Sequence, residues 1–269
     1  MKVNIVDSFT DVPFKGNPAG VCQVDTELAD QAMLLIAQEL GLSETAFVRP
    51  IGDAEYSIRY FSPKMEIPLC GHATLAAAKV VFSDTALCEI CIVTRQQLRL
   101  QVSRQGDGIR MKFPVYQTQP TQAPPQLLAA LGLERILASV FNTETKILML
   151  EIESTELLAG LQPDFAALYK SHNAINGVLV TAASSDGRYD FHSRYFWPWS
   201  GTNEDPVTGG THTFLAPYWA QKLGKSKLNS LQVSARSGFM EVELLNDQWL
   251  AITGQAVIVL SGQLHCEIV

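Results

Sequence analysis

The sequence predicts an α+β protein in which each half combines many strands with one buried helix. Short apolar runs bounded by turn residues occur along the whole chain and are typical of strands. Two longer runs, within 70–82 and 203–223, carry apolar residues almost all round at helical spacing, which is typical of helices inside a protein. Because strands do not alternate regularly with helices, the pattern favours α+β over repeated βαβ units.

Composition narrows the class of protein. The chain has 269 residues, of which 47% are hydrophobic and 17% charged, enough for two domains with sizeable cores. Its net charge of −7 and pI near 5.2 argue against nucleic acid or an acidic membrane as the main partner. No apolar run reaches the length of about 18 residues that a membrane-spanning helix needs. Residues 1–10 read as a strand rather than a signal peptide, so we expect a cytoplasmic protein.

In the first half, a surface helix precedes the buried one. Asp25 can cap a helix whose apolar residues recur on one face, and Gly41 ends it. Gly71 opens the buried helix, and the turn at 104–108 joins two later strands as a hairpin. The helices are predicted at 28–40 and 71–82, and the strands at 3–9, 21–24, 46–48, 56–61, 87–94, 97–103 and 109–114.

The second half begins after a polar, proline-rich stretch at 116–125, the best candidate for an interdomain linker. Its buried helix is predicted to follow the pair Gly209 and Gly210. Short helices are predicted at 126–131, 154–159 and 163–170. Strands are predicted at 138–141, 146–152, 177–181, 188–195, 231–235, 239–245, 249–253, 256–260 and 263–268.

The cysteines are predicted to be reduced. Their number is odd and no secretion signal precedes them: Cys22, Cys70, Cys88, Cys91 and Cys266. Cys88 and Cys91 match C-x-x-C, but a second pair is lacking and a strand would place them on opposite faces. Structural thiols are therefore expected, with a metal or redox site as the alternative.

The starts of the two buried helices are candidate anion sites. The first N–H groups of a helix lack partners and lie at its positive end, and glycine lets a ligand approach the backbone. Gly71 and His72 occupy this position in the first half. Gly209 and Gly210 occupy it in the second half, with Asp205 just before them.

Seven stretches carry a resemblance to a known family, in that family's order along nearly the whole chain. They are V-D-S-F-T-D-V-P-F-K-G-N-P-A-G (6–20), L-S-E-T-A-F (42–47), L-C-G-H-A-T-L-A-A-A (69–78), S-R-Y-F-W-P (193–198), E-D-P-V-T-G-G-T-H (204–212), A-P-Y-W-A-Q-K-L-G (216–224) and Q-V-S-A-R-S-G (232–238). On these residues the chain resembles the phenazine-biosynthesis-like PhzF family, which shares its fold with diaminopimelate epimerase.

The resemblance implies two similar domains, each a curved, mostly antiparallel or mixed sheet wrapped around a central helix. We expect these domains at 1–116 and 117–256, with a final strand at about 257–269 returning to the first. The resemblance also implies an active site between the domains, no metal, no organic cofactor and, often, a homodimer.

The activity implied by the resemblance is isomerisation by proton transfer on a small, probably cyclic, carboxylate. Its catalytic residues match Glu44, His72 and Asp205, and its substrate-binding donors match Ser43, Gly71, Gly209 and Gly210. The family commonly has Ser-Ala where this chain has Gly210 and Thr211, and glycine where it has Ser237. These departures concern the substrate more than the chemistry.

Each candidate residue also has a structural alternative. Burial is expected to raise the pKa of Glu44, which otherwise caps a turn. The helix dipole is expected to keep His72 neutral as a donor, unless backbone groups occupy it. Asp205 can cap the turn after it. Packing is expected for His212, and an ion pair rather than an anion contact for Arg194.

Two other functions stay open. One is an amino-acid epimerase or racemase that uses Cys70 or Glu44 with Asp205. Related epimerases use two cysteines, but only Cys70 matches one of them, so a buried inert thiol is expected. The other is a non-catalytic member of the fold that binds a metabolite or a protein.

Overall fold

The structure is a computed structural model that describes residues 1–265, so Cys266 and the end of the strand predicted at 263–268 lie outside the described residues. The α-helices are α1 (Asp30–Leu40), α2 (Gly71–Asp84), α3 (Pro125–Leu131), α4 (Thr155–Gly160), α5 (Phe165–Ser171) and α6 (His212–Leu223). None of these helices is long and apolar enough to cross a membrane.

The strands, in chain order, outnumber the helices. They are β1 (Lys2–Ser8), β2 (Asn17–Gln23), β3 (Glu44–Pro50), β4 (Glu55–Phe61), β5 (Glu66–Ile67), β6 (Glu89–Thr94), β7 (Arg99–Gln105), β8 (Gly108–Pro114), β9 (Gln119–Pro120), β10 (Ala138–Asn142), β11 (Ile147–Glu151), β12 (Gly177–Ala183), β13 (Phe191–Phe196), β14 (Glu204–Asp205), β15 (Lys227–Gln232), β16 (Gly238–Leu244), β17 (Trp249–Gly254) and β18 (Ala256–Gln263).

The chain forms two compact units, with boundaries slightly earlier than those expected from the sequence. The first contains Met1–Phe113 and the segment from Ala251 onward, and the second contains Pro114–Leu250. The expected division at 116/117 is displaced because β8 ends at Pro114. The final segment returns to the first unit from 251 rather than 257, because β17 pairs with β8 and β18 pairs with β1.

In the first unit the sheet runs β18-β1-β2-β3-β4-β6-β7-β8, with β5 on β4. The pairs β2–β3 and β4–β6 are parallel, and the other pairs named here are antiparallel. Each parallel pair is connected through a helix, α1 or α2, as a parallel connection requires a crossover. The mixed sheet agrees with the predicted fold class.

Helix α2 is the buried helix predicted for the first unit. Ten of its 14 residues are buried, and it contacts β1, β2, β3 and β18. Helix α1 instead covers the opposite face of the sheet, where Met33 and Ile36 pack with Phe47 and Phe61. The apolar residues all round α2 are therefore explained by sheet on several sides, whereas α1 needs only one apolar face.

The second unit repeats this plan. Its sheet runs β9-β10-β11-β12-β13-β15-β16, with β14 on β13. The parallel pairs β11–β12 and β13–β15 are again those connected through helices. Helix α6 is the buried one: Trp219 stacks on Phe191 at 5.6 Å, and its indole N–H donates to Thr181 Oγ1 at 3.0 Å.

A proline lies inside α6. Pro217 has no N–H, so the carbonyl of Thr213, four residues earlier, loses its helical donor. The backbone N–H of Tyr116 donates to that carbonyl at 2.9 Å. The segment before β9 thus satisfies the oxygen that the proline leaves free, and Pro217 is tolerated in a buried helix.

Several predicted boundaries are wrong. Helix α1 begins at Asp30 with Ala29 rather than Asp25 at its N-cap, and the break predicted between 260 and 263 is absent because β18 runs from Ala256 to Gln263. Strand β2 begins at Asn17 rather than residue 21, because pairing with β1 outweighs the loop signal of its prolines and glycines. The stretch 116–125 contains β9, which pairs with β10. Strand β15 covers Lys227–Gln232 rather than 231–235, since two of its three buried positions are the polar Ser230 and Gln232.

Candidate active site

The first turn of α2 places the central residues of the site. Cys70 is extended and precedes the helix, which starts at Gly71. Backbone oxygens hold this turn: the Thr74 hydroxyl donates to the Cys70 carbonyl at 2.7 Å, and the Ser8 hydroxyl donates to the His72 carbonyl at 2.7 Å. Tyr60 Oη lies 2.6 Å from Thr74 Oγ1. The turn is therefore fixed by β1 and β4 as well as by its own helix.

The structure brings together two of the three predicted catalytic residues. Glu44 is the first residue of β3, and its Oε2 lies 3.1 Å from Nε2 of His72. The exposed fractions of the two side chains are only 8% and 7%. The carboxylate thus faces an imidazole in a nearly dry environment, where an electrostatic interaction is much stronger than in water.

The expected rise in the pKa of Glu44 is wrong. Burial does raise this pKa and is the largest single influence. The hydrogen bond and charge of His72 outweigh burial and lower the pKa below its ordinary value. Glu44 therefore rests as a carboxylate.

The expectation of a neutral His72 is also wrong. Burial lowers its pKa, but Cys70 and Glu44 together raise that pKa well above the ordinary histidine value. The charge effect of Cys70 on His72 requires a thiolate, whereas burial raises the pKa of that thiol, so the thiol keeps its proton near neutral pH. The negative partner of the imidazolium is then Glu44, and Nε2 carries a proton toward that carboxylate.

Residues beyond those predicted complete the environment of the imidazole. Asn17, fully buried at the start of β2, has its side-chain amide 3.2 Å from Nδ1 of His72, and Cys70 Sγ lies 3.4 Å from the same nitrogen. When Nδ1 carries a proton, the amide oxygen of Asn17 is the atom that can accept it, since an amide N–H only donates. Asn17 falls in the part of the quoted stretch 6–20 whose prolines and glycines indicated only a loop, and Ser8 falls in the strand predicted at 3–9 with no role assigned to it. Their roles become visible only when β1 and β2 are paired beside α2.

Three of these side chains also form a possible donor set for a metal ion. One ligand atom each from Glu44, Cys70 and His72 lies within 4.8 Å of the others, the one such group among residues 1–265. Mixed S, N and O donors are those that Zn²⁺ accepts. The three groups already contact one another directly, and the expectation of no metal stays a prediction.

In the second unit, Asp205 is held by a separate network. It lies on β14, opposite Tyr195 of β13, and is 7% exposed. The Thr208 hydroxyl donates to its carboxylate, and Gln232 donates from Nε2 to its backbone carbonyl at 2.6 Å. Gln232 also accepts from the Thr208 N–H at 2.9 Å. Gln232 was not predicted, although it begins one of the quoted stretches.

The glycine pair precedes α6 rather than opening it. Gly209–Thr211 form a turn of 3₁₀-helix, and α6 starts at His212. A Cβ atom at Gly210 would meet no atom within 4 Å, so the backbone there is open to a ligand. The hydroxyl of Thr211 donates to the Thr208 carbonyl at 2.8 Å and thus serves the turn.

His212 and Arg194 have the structural roles expected. Burial lowers the pKa of His212 to about 4, and the neutral ring donates from Nδ1 to the Thr208 carbonyl and accepts from Ser230 at 2.9 Å. Arg194 donates from Nε and one terminal nitrogen to Glu204 at 2.8 and 2.9 Å. Its other terminal nitrogen donates to carbonyls at the end of α4, including that of Leu161 at 2.7 Å.

Comparison with known proteins identifies the family. The family model for phenazine biosynthesis-like proteins matches residues 6–262. Uncharacterized isomerases from Pseudomonas aeruginosa and Halalkalibacterium halodurans are 45% and 39% identical, and each alignment covers 97% of both chains. A crystal structure of a PhzF-family protein from Enterococcus faecalis has a TM-score of 0.91 at 35% identity, covering 98% of this chain and 99% of that one. The names of these relatives support an isomerase-type activity, and the chain belongs to the PhzF family of phenazine biosynthesis-like proteins.

Proposed function

We propose that the protein is an isomerase that moves a proton between positions of a small carboxylate-bearing substrate. The observation that carries the proposal is the buried pair of Glu44 and His72, 3.1 Å apart, at the start of α2. The isomerase names of two relatives that align over nearly their whole length support the same class of reaction. A cyclic carboxylate is the substrate type that the family resemblance implies.

In the proposed first step, the Glu44 carboxylate takes a proton from carbon. The C–H bond breaks, an O–H bond forms on Glu44, and the electron pair moves into the conjugated system of the substrate. His72 donates a hydrogen bond to the atom on which negative charge develops. In the second step Glu44 returns the proton to a different carbon, which completes an isomerisation without net gain or loss of atoms.

The resting charges of the pair suit this sequence. The carboxylate is already ionised, so it can accept a proton without prior activation. The influence of His72 is what keeps the pKa of Glu44 low against burial. If the imidazolium turns its charge toward the substrate, that influence weakens, burial prevails, and Glu44 becomes a stronger base. The two groups thus act as a coupled pair.

The remaining predicted residues are assigned on the resemblance and their surroundings. We assign Asp205 a second acid–base or orienting role, supported by its burial and its contact with Thr208. Ser43, Gly71, Gly209 and Gly210 are assigned to substrate binding, with open space at Gly210 as support. The groups proposed to move protons, Glu44 and Asp205, are both side chains, so the proposed reaction requires no metal or organic cofactor.

Solvent isotope exchange tests the proposal. Cyclic and acyclic carboxylates are incubated with the protein in D₂O, and deuterium on carbon is followed by NMR. The expected result is incorporation into at least one substrate, lost in Glu44→Gln. Exchange that persists at the wild-type rate in Glu44→Gln contradicts the assigned base.

An amino-acid epimerase that uses Cys70 is the second candidate, favoured by one contact. Cys70 Sγ lies 3.4 Å from Nδ1 of His72, where the imidazolium would stabilise a thiolate. The raised pKa of the thiol argues against it as the base. Cys70→Ala separates the two candidates: retained exchange supports Glu44, and its loss with an intact fold supports the epimerase.

A further inference from the structure

A cavity lies in the first unit, on the α1 side of the sheet. Its volume is about 350 Å³, within the range of small-molecule pockets. Apolar residues make up much of the wall, among them Leu28, Met33, Phe47 and Val93. Ile51, which is 43% exposed, also lines it.

The cavity is on the opposite face of β3 from the Glu44 side chain. Side chains alternate along a strand, so Phe47 and Arg49 share one face and Glu44 lies on the other. Phe47 packs with α1, which fixes the first face as the α1 side. The cavity is therefore separate from the proposed proton-transfer site, and an inference about it does not rest on the proposed function.

Two of the three arginines that line the cavity are neutralised. Arg59 donates to Glu66 at 2.8 and 2.7 Å and lies 2.8 Å from Asp30. Arg95 pairs with the same two carboxylates. This group of four charges is balanced and ties the start of α1 to β4, β5 and the segment after β6.

Arg49 is the exception. It is half-buried in the cavity wall, and its guanidinium has no hydrogen bond or ion pair with another of the described residues. An arginine keeps its charge at any physiological pH. The one acidic side chain that lines the cavity is Glu27, which is exposed. The charged guanidinium of Arg49, with its N–H donors unpaired among the described residues, thus lies beside the apolar wall of the cavity.

We propose that this cavity binds a small amphipathic carboxylate, with its carboxylate on Arg49 and its apolar body against Met33 and Val93. A single free guanidinium matches a carboxylate, which it can bind through two parallel hydrogen bonds. The hydroxyl of Ser57 lies in the same wall and makes only a long contact, 3.5 Å, to the Arg49 carbonyl. It is available as a further donor.

Titration of the ¹⁵N-labelled full chain with sodium hexanoate tests this site, with hexan-1-ol as the neutral counterpart. We expect the chemical shifts of backbone amides within 24–28, 47–51, 57–59 and 93–97 to change and to reach a plateau as the ligand concentration rises. Arg49→Gln is expected to weaken hexanoate binding by about tenfold or more, since a hydrogen-bonded charge is lost, and to leave hexan-1-ol unaffected. Ile51→Ser is expected to weaken both ligands, and Glu27→Gln to strengthen hexanoate alone.

Arg135→Gln is the matched control, since it removes the same charge from an exposed position in the second unit. If Arg135→Gln and Arg49→Gln weaken hexanoate binding equally, the effect comes from the net charge of the protein, and the proposed site is overturned. The absence of saturable shifts in those segments, or equal affinity for hexanoate and hexan-1-ol, would also overturn it.

Discussion

The Nε2 atom of His72 lies 3.1 Å from Oε2 of Glu44, and more than nine-tenths of each side chain is buried. Each group determines the charge of the other: the imidazole lowers the pKa of the carboxyl, and the carboxylate helps to raise the pKa of the imidazole. A buried pair of this kind loses much when one partner is removed, because the other charge is left without compensation. The consequences for activity and for stability can therefore be measured separately.

Replacement of Glu44 by glutamine should abolish proton transfer. Glutamine keeps the shape and can accept a hydrogen bond from His72, but it cannot take a proton. We expect the exchange rate to fall by at least about 10²-fold, as is typical for a positioned acid–base group. Glu39→Gln, an exposed change of the same type on α1, is the control and should leave the rate unchanged.

The pH profile of exchange should be a broad plateau. Its acid limb reports Glu44 and is expected below pH 4.5, the ordinary glutamate value, and its alkaline limb reports His72 and is expected well above pH 6.5. In His72→Asn the alkaline limb should disappear. The acid limb should move upward in the same variant, since burial then acts on Glu44 unopposed. An acid limb that stays in place would show that His72 does not control the ionisation of Glu44.

His212 should make the protein less stable toward acid. Its pKa is about 4 in the folded state against an ordinary 6.5, so between these values the unfolded chain binds more protons. Stability is therefore fully present above pH 6.5 and decreases as the pH falls toward 4, by about 3 kcal/mol if no other group changes.

Chemical denaturation across this pH range measures the effect. His212→Gln should flatten the dependence while lowering stability at neutral pH, because glutamine reproduces only part of the hydrogen bonding to Thr208 and Ser230. His265→Gln, at an exposed position, should leave the slope as it is in the parent protein. A slope that is identical in His212→Gln would remove His212 as its source.

A side chain at position 177 is expected to lower the free energy of unfolding. A Cβ atom there would lie 2.4 Å from the hydroxyl oxygen of Tyr195, whose ring is itself buried opposite Asp205. We expect Gly177→Ala to cost about 1–3 kcal/mol of unfolding free energy through overpacking. Gly160→Ala is the matched control: nothing lies within 4 Å of its Cβ position, and the change should be neutral or slightly stabilising.

The sequence predicted the secondary-structure elements better than it predicted the ionisation states of Glu44 and His72. Helices α2 and α6 are recognisable because apolar residues cover them almost all round and glycines lie at or shortly before their first residues. The pairing of Glu44 with His72 could not be derived from spacing, since β3 and α2 come into contact only once the sheet has assembled around the helix. Each pKa expectation considered one group in isolation, burial for Glu44 and the helix dipole for His72, and missed the partner that reverses it. Asn17 was hidden in a stretch whose composition indicates a loop.

The hydrogen bond from Tyr116 to the Thr213 carbonyl has a consequence for chimeric proteins. If α6 is moved with Pro217 into another scaffold, the carbonyl of Thr213 lacks a hydrogen-bond donor unless the new scaffold places a backbone N–H beside it. The side chain at 116 is irrelevant to that contact, so nineteen amino acids can serve there and proline alone cannot. A chimera must therefore take both α6 and the segment that contains Tyr116, although roughly a hundred positions separate the two along the chain.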